Sequence, residues 1–281
     1  MTESNNQLKE KWALVDINRI ASKLTPHHRK VLDIIVTRGI SQECVAIECI
    51  QQEMITFEQH LPSNASAWRS LEFLVDIDLF KVQKISTGYR NFNLLLITDI
   101  GKMVFMDIFN RNVGKFEHEL VAKDHDNVVH GYMIQDVKDI LERKGIYRLV
   151  RTDRELNTIN LYGGVACIPD VIAVRGVEQD LFEVECANHH QVDFDEKMRK
   201  LSRVTDCINV IGPNRKVLAK LKKQVDTWIA TDGRNDLLRK GIHVRLATIN
   251  DLANDKWAYI YDMTTDEPVC YFETKKKGGD V

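Results

Sequence analysis

The sequence predicts an α/β protein built from two domains. Its 281 residues exceed the commonest size of a single domain, which favours two separate cores. The first half has the pattern of several helices followed by a hairpin, whereas the second half alternates short apolar strands with amphipathic helices. We therefore expect one domain at residues 1–115, a linker at 116–129 and a second domain at 130–281.

Composition narrows the class of protein. No apolar stretch approaches the roughly 20 residues needed to cross a bilayer, and the start MTESNNQLKEKW lacks the basic and apolar regions of a signal peptide. Six cysteines without a CxxC pair fit reduced thiols. We expect a cytoplasmic protein with no membrane partner. Because the net charge is only -2, any surface that attracts nucleic acid must be local.

Four helices are predicted at the start of the chain. Apolar residues have helical spacing over residues 6–24. A second helix, HHRKVLDIIVTRG, can be capped by Thr25 and ends at Gly39. A third covers CVAIECIQQEM, and a fourth covers NASAWRSLEFLVDID, which Ser63 or Asn64 can cap.

A two-stranded hairpin follows these helices. The segments FKVQKIS and FNLLLIT are strand-forming, and TGYRN between them places Gly88 in the turn. Helices followed by a hairpin have the order of a helix-turn-helix with a wing. The segments SAWRSLEFLVDIDLFKV and LLLITDIGKMVF resemble the recognition helix, the second wing strand and the following helix of winged-helix proteins.

This resemblance implies contacts with DNA. The fourth helix would enter the major groove, with Ser66 and Arg69 as contacts to bases or phosphates. Lys84, Tyr89 and Arg90 on the wing would reach the backbone or the minor groove. Winged helices also serve as protein-docking or dimerisation modules, and the nearly balanced charge of this half leaves that alternative open.

The second half predicts a mixed sheet with helices on both faces. The amphipathic helix HGYMIQDVKDILERKG is followed by three strands, in YRLVRTD, GVACIPDVIAVRG and QDLFEVECAN. Then come the helix FDEKMRKLSRVTD, the strand CINVIGPN, the helix NRKVLAKLKKQVDTWIATDG and the strand HVRLATINDL. The order α-β-β-β-α-β-α-β is typical of such a sheet.

Three carboxylates interrupt the strand-forming run IPDVIAVRGVEQDLFEVECAN. Asp170 lies on the second strand of this half, and Glu183 and Glu185, two positions apart on the third, share a face. Adjacent strands can bring the three together, where they repel unless a cation neutralises them. Carboxylate oxygens suit Mg²⁺ or Mn²⁺, which can activate water for phosphodiester hydrolysis. Alternatively, Asp170 belongs to a turn and both glutamates face solvent.

The segments IPD and FEVE resemble the motif of the PD-(D/E)XK nuclease superfamily, and the resemblance extends over about residues 130–212. It implies that Asp170, Glu183 and Glu185 are catalytic residues that bind Mg²⁺ or Mn²⁺. The chain departs from the motif because Glu185 stands where lysine is usual. Some members carry the basic residue on the next helix, where Lys197 could supply it. Lys197 could equally pair with acidic residues of its own helix.

The complete order of a winged helix, a linker, PD and ExE is most similar to the replication-relaxation and related proteins of bacterial plasmids and integrative elements. The resemblance implies a metal-dependent DNA endonuclease or nickase, targeted by its winged helix to mobile-element or foreign DNA. DNA, other mobile-element proteins and a second copy in a homodimer are the partners it suggests. The alternative is a catalytically inactive nuclease-fold protein that binds DNA, or acts in assembly or regulation, because Glu185 replaces the expected lysine.

Basic and histidine residues near the expected site are further candidates. His130 opens the first helix of the second half, and His189 and His190 follow its third strand. Any of them could contact a phosphate, although adjacent histidines on a loop are commonly just solvated. The clusters ERKG, EKMRKLSR and NRKVLAKLKKQ concentrate positive charge in this half, which predicts a local surface that attracts phosphate.

Overall fold

The structure is a computed structural model that describes the following residues: 17–58, 63–122, 127–153, 155, 168–205, 207–233, 241–262 and 269–270. The α/β class predicted from the sequence is confirmed. Two compact units are present. The first takes in the described residues up to 85 together with 91–122, and the second takes in 86–90 and the described residues from 127 onward.

The first half of the described chain contains helices and a two-stranded sheet. In chain order the elements are α1 Ile17–Lys23, α2 Pro26–Arg38, α3 Glu43–Glu58, α4 Asn64–Asp76, β1 Phe80–Ser86, β2 Asn91–Ile97, α5 Asp99–Phe109 and α6 Glu117–Ala122. Strands β1 and β2 pair with each other. The beginning of the first predicted helix, residues 6–16, lies outside the described residues.

Helix ends in this half follow local capping interactions. The Oγ1 atom of Thr25 accepts a hydrogen bond from the backbone N of His28 at 3.2 Å, and Gly39 ends α2 in the left-handed region at φ 61°. The Oγ atom of Ser63 accepts from the backbone N of Ser66 at 3.2 Å, which begins α4. Apolar side chains of α2 and α4 then join one buried core with those of the strands and α5.

The predicted linker is partly ordered, because α6 lies within residues 116–129. Nδ1 of His118 lies 2.8 Å from Oγ of Ser41. Nε2 of Gln42 donates to Oε1 of Glu117 at 2.7 Å. These bonds join residues about 75 positions apart in the sequence. No local sequence pattern could therefore predict them. The first unit therefore extends beyond residue 115, where the sequence places its end.

Gly101 in α5 lies against the backbone of Leu79. A Cβ added to Gly101 would be 2.2 Å from the carbonyl oxygen of Leu79. We expect Gly101→Ala to lower the free energy of unfolding by about 1–3 kcal/mol, because backbone must move to admit the methyl group. Urea unfolding measures the change.

Gly114 provides the matched control, since a Cβ there would meet nothing within 4 Å. Gly114→Ala should leave the free energy of unfolding within about 0.5 kcal/mol of wild type. Equal stability of the two alanine variants would contradict the close packing of α5 on Leu79.

The second half of the described chain contains a seven-stranded sheet with flanking helices. Its elements are α7 Val128–Lys144, β3 Leu149–Thr152, β4 Val171–Arg175, β5 Glu178–Val184, α8 Gln191–Leu201, β6 Cys207–Gly212, α9 Arg215–Trp228, β7 His243–Thr248, α10 Ile249–Ala253, β8 Tyr259–Asp262 and β9 Val269–Cys270. A π-helical turn, Ile229–Gly233, follows α9. None of the described helices is both long enough and apolar enough to cross a bilayer.

The sheet is mixed, as the sequence predicts, and its strands lie side by side in chain order. Strands β3, β4 and β5 are antiparallel, β5, β6 and β7 are parallel, and β8 and β9 are again antiparallel. Phe182 and Val184 of β5 pack in a core with α7 and α10. Leu181 packs on the opposite face with α8 and α9. This alternation directs Glu183 toward the face that α8 covers.

Candidate functional site

The candidate site lies at the edge of the sheet where β4 begins and β5 ends. Asp170 immediately precedes β4, whose first residue, Val171, pairs with Phe182 of β5. Glu183 is the next residue of β5, and Glu185 follows the end of the strand. Because β4 and β5 are antiparallel, Asp170 comes beside Glu183.

Lys197 on α8 contacts both glutamates. Its Nζ donates to Oε1 of Glu185 at 2.8 Å and forms an ion pair with Oε2 of Glu183. The apolar residues Phe194 and Leu201 of α8 are buried in the core against the sheet. Lys197 lies three positions after Phe194 and four before Leu201, so it shares their side of the helix. The amphipathic pattern of α8 thus aims the ammonium group at the carboxylates.

Asp170 is held by the main chain and by His130. Its Oδ2 accepts a hydrogen bond from the backbone N of Val184 at 2.8 Å and lies 3.7 Å from Nε2 of His130. The same Nε2 donates to the carbonyl oxygen of Val184 at 2.7 Å. Burial lowers the pKa of His130, but the hydrogen bond and charge of Asp170 outweigh it and the pKa is raised. Burial raises the pKa of Asp170, but the hydrogen bond from His130 and the charge of Lys197 outweigh this effect, and the pKa of Asp170 is lowered.

Glu183 is the most deeply buried of the three carboxylates, with 2% of its surface exposed. Burial raises its pKa well above the usual value, and the charges of Asp170 and Glu185 add to this against the opposing effect of Lys197. Burial opposes ionisation of Lys197, but the surrounding carboxylates raise its pKa well above the usual value. The lysine therefore stays charged, while the site holds more carboxylates than one ammonium can neutralise.

The three predicted metal ligands, Asp170, Glu183 and Glu185, differ in what their oxygens contact. Within the described residues, no three carboxylate, imidazole or thiol groups are placed to hold a metal ion. Oε1 of Glu185 accepts from Lys197, and its Oε2 lies 3.6 Å from Nε2 of His189. Mg²⁺ is commonly held by one or two carboxylates with water and a substrate phosphate. Asp170 and Glu183 fit that smaller set, because Oε1 of Glu183 is buried without a hydrogen-bond donor in the described part of the chain.

The side chains that reach solvent at this site are those of a lysine and two histidines, whose nitrogen atoms can donate hydrogen bonds. All three carboxylates are buried. The side chain of Lys197 is 28% exposed, that of His130 is 24% exposed and that of His189 is 54% exposed. An approaching anion would therefore meet N–H groups before it met carboxylates.

Three of the residues predicted to contact DNA reach the surface of the first unit. Ser66 and Arg69 lie one turn apart on α4, and Nε of Arg69 donates to the carbonyl oxygen of Ala65 at 3.2 Å. Lys84 is exposed on β1 and has no ion pair among the described residues. Trp68, which the sequence pattern did not single out, is also exposed on α4.

Tyr89 and Arg90 lie in the segment 86–90, which belongs to the second unit. Within that unit Nε of Arg90 lies 2.6 Å from Oδ1 of the buried Asp136. Arg143 donates to the hydroxyl of Tyr89 at 3.0 Å. The charge of Arg90 is thus balanced by a carboxylate that lies 46 positions away in the sequence, beyond the reach of any local pattern.

The fold and the site define an α/β protein with a buried cluster of three carboxylates and one lysine at a sheet edge. Comparison with protein-family models and with curated proteins gives no match. What this cluster does must therefore be inferred from the chemistry of its residues and from their arrangement.

Proposed function

We propose that this chain is a metal-dependent DNA endonuclease or nickase whose site consists of Asp170, Glu183, Glu185 and Lys197. One observation carries the proposal: a single ammonium group lies between two buried glutamates, with Asp170 one strand away. A structural ion pair would require only one carboxylate. When Glu183 ionises, three buried acids around one lysine leave negative charge that a divalent cation would neutralise.

Each residue has a role that follows from its contacts. Asp170 and Glu183 would hold Mg²⁺ or Mn²⁺, which supplies a polarised phosphate and an activated water. Lys197 would stabilise the negative charge that develops on the phosphate. Glu185 holds the ammonium in place through the bond of 2.8 Å, and His130 orients Asp170. Lys197 would thus supply the positive charge that a lysine at the position of Glu185 usually supplies in the PD-(D/E)XK motif.

We infer that the first unit is a winged helix that directs this site to DNA. Supporting this are the order of four helices and a hairpin, and the exposure of Arg69 on α4 and Lys84 on β1. Mobile-element or foreign DNA is the proposed substrate. Other mobile-element proteins and a second copy of this chain are proposed partners, and the cytoplasm is the proposed location. The nuclease assignment of the second unit rests on the IPD and FEVE segments and on the order of strands around them.

A second candidate function is a nuclease-fold protein that binds DNA without cutting it. The observation in its favour is that one oxygen of Glu185 accepts from Lys197 and the other lies beside the His189 ring, while no three-ligand metal set occurs in the described residues. Such a protein would use its carboxylates for folding alone. DNA binding would then reside in exposed basic residues.

Incubation with supercoiled plasmid separates the two functions. We expect nicked or linear DNA with Mg²⁺ or Mn²⁺ and none with EDTA, because the phosphate needs a metal to be activated. Binding without cutting under either metal would favour the second candidate. Cleavage that persists in EDTA would contradict the metal requirement, and failure both to bind and to cut would remove both candidates.

A further inference from the structure

His189 lies at the mouth of the candidate site, in the loop between β5 and α8. Its Nε2 lies 3.6 Å from Oε2 of Glu185, which is 3% exposed. The His189 side chain itself is about half exposed. The imidazole thus borders a buried carboxylate on one side and solvent on the other.

The backbone of this loop is held in place. Nε2 of Gln224 on α9 donates to the carbonyl oxygen of His189 at 3.0 Å. The carbonyl oxygen of Gln224 accepts in turn from Nε2 of Gln191 at 2.9 Å. Ala187 adopts φ 56°, a left-handed conformation that costs energy for a residue with a side chain. The hydrogen bonds to Gln224 fix the backbone of His189 and so place its imidazole beside Glu185.

His189 differs from the other two partly exposed nitrogen-bearing side chains, His130 and Lys197, in how its ring nitrogen is used. Nε2 of His130 is bonded to the Val184 carbonyl, and Nζ of Lys197 is bonded to Glu185. The contact between His189 and Glu185 is longer than a hydrogen bond. A ring N–H of His189 can therefore donate to an incoming group without breaking a bond within the site.

We propose that His189 binds the substrate by donating a ring N–H to a non-bridging oxygen of the phosphodiester. This inference rests on the proposed nuclease function and adds a substrate contact to it. No covalent bond to His189 forms or breaks. His190, the next residue, is the N-cap residue of α8, makes no side-chain cap bond and has no ion pair in the described part of the chain. The two adjacent histidines look equivalent in the sequence, but in the structure only His189 lies beside a carboxylate of the candidate site.

Cleavage of a short DNA duplex by four proteins tests this contact. His189→Ala should lower kcat/KM about 10- to 100-fold, the usual loss for one hydrogen bond to a charged group. His189→Gln retains an N–H donor at similar reach and should restore most of the rate. His190→Ala, the matched control, should stay within about twofold of wild type, as surface changes usually have small effects. Thermal unfolding should be the same for all four.

Equal rates for His189→Ala and wild type would overturn the proposal. So would an alanine variant that glutamine does not rescue and whose melting temperature falls, because His189 would then serve only the loop.

Binding without chemistry separates this inference from the nuclease proposal. Histidine-labelled full-length protein is titrated with a short oligothymidylate in EDTA, and the imidazole resonances are followed by NMR. We expect the ring signals of His189 to shift and saturate, while those of His190 stay in place. If the wild type cuts no DNA but His189 shifts, the nuclease function fails and the phosphate contact stands. If it cuts DNA and His189 does not shift, the contact fails alone.

Discussion

We expect Lys197→Met to reduce the proposed DNA cleavage by about 100- to 1000-fold, the loss typical of one well-placed charge in a site that excludes water. The same change will lower the free energy of unfolding by about 3–5 kcal/mol, because Glu183 and Glu185 lose their buried counter-charge. Methionine keeps most of the length of lysine and removes only the ammonium. Cleavage kinetics and urea unfolding measure the two effects separately.

Lys200→Met on the same helix is the matched control. Lys200 lies on the surface in an i,i+4 ion pair with Glu196, so its loss should cost no more than about 0.5 kcal/mol and leave cleavage intact. Adding Glu185→Gln to Lys197→Met should recover part of the stability without recovering activity. A Lys197→Met protein that cuts at the normal rate would show that another group stabilises the phosphate.

We expect Asp170→Asn to remove nearly all of the proposed cleavage activity while it preserves the fold. The Asn Oδ1 atom can still accept the bond from the backbone N of Val184, now 2.8 Å long. The charge that would bind the metal is lost, so we expect a fall in rate of about 1000-fold. Stability should fall by about 1–2 kcal/mol, because the hydrogen bond remains but the attraction of the charge for His130 and Lys197 is lost. Calorimetric titration with Mn²⁺ should show weaker binding than in the wild type.

Asp180→Asn, on the neighbouring strand β5, controls for a general effect of removing a carboxylate from this part of the sheet. Asp180 accepts a hydrogen bond from the hydroxyl of Tyr147 at 3.0 Å, near the opposite end of the strand from Glu183. This variant should cut DNA normally. If Asp170→Asn cut DNA at the normal rate, Asp170 would not be a catalytic residue, whatever the result for Asp180→Asn.

The features predicted from the sequence depend on near neighbours. Thr25, Gly39 and Gly145 end or begin helices through bonds to residues within one turn, so capping preferences locate them. The mixed sheet follows from the alternation of strands and helices in the second half. The contact of Lys197 with the carboxylates follows from the spacing of apolar residues along α8, which is also a local property.

The features that the sequence does not predict depend on residues far apart in the chain. Asp136 pairs with Arg90, and Ser41 contacts His118, without any periodic pattern to mark these partners. The difference between His189 and His190 likewise depends on Gln224 of α9, which fixes the loop from 35 positions away. Hydrophobic periodicity locates helix and strand faces, but it carries no information about such polar pairs.

The lysine between Glu183 and Glu185 gives the candidate site a built-in counter-ion. Many metal sites leave their ligands mutually repulsive until the metal arrives, so that folding depends on metal supply. Here Lys197 already balances part of that charge. Synthesis and folding of the protein, and its positioning on DNA, would then proceed in a cell short of free metal. On the proposed function, the ion would control when DNA is cut, and it would add to the stability of a fold that forms without it.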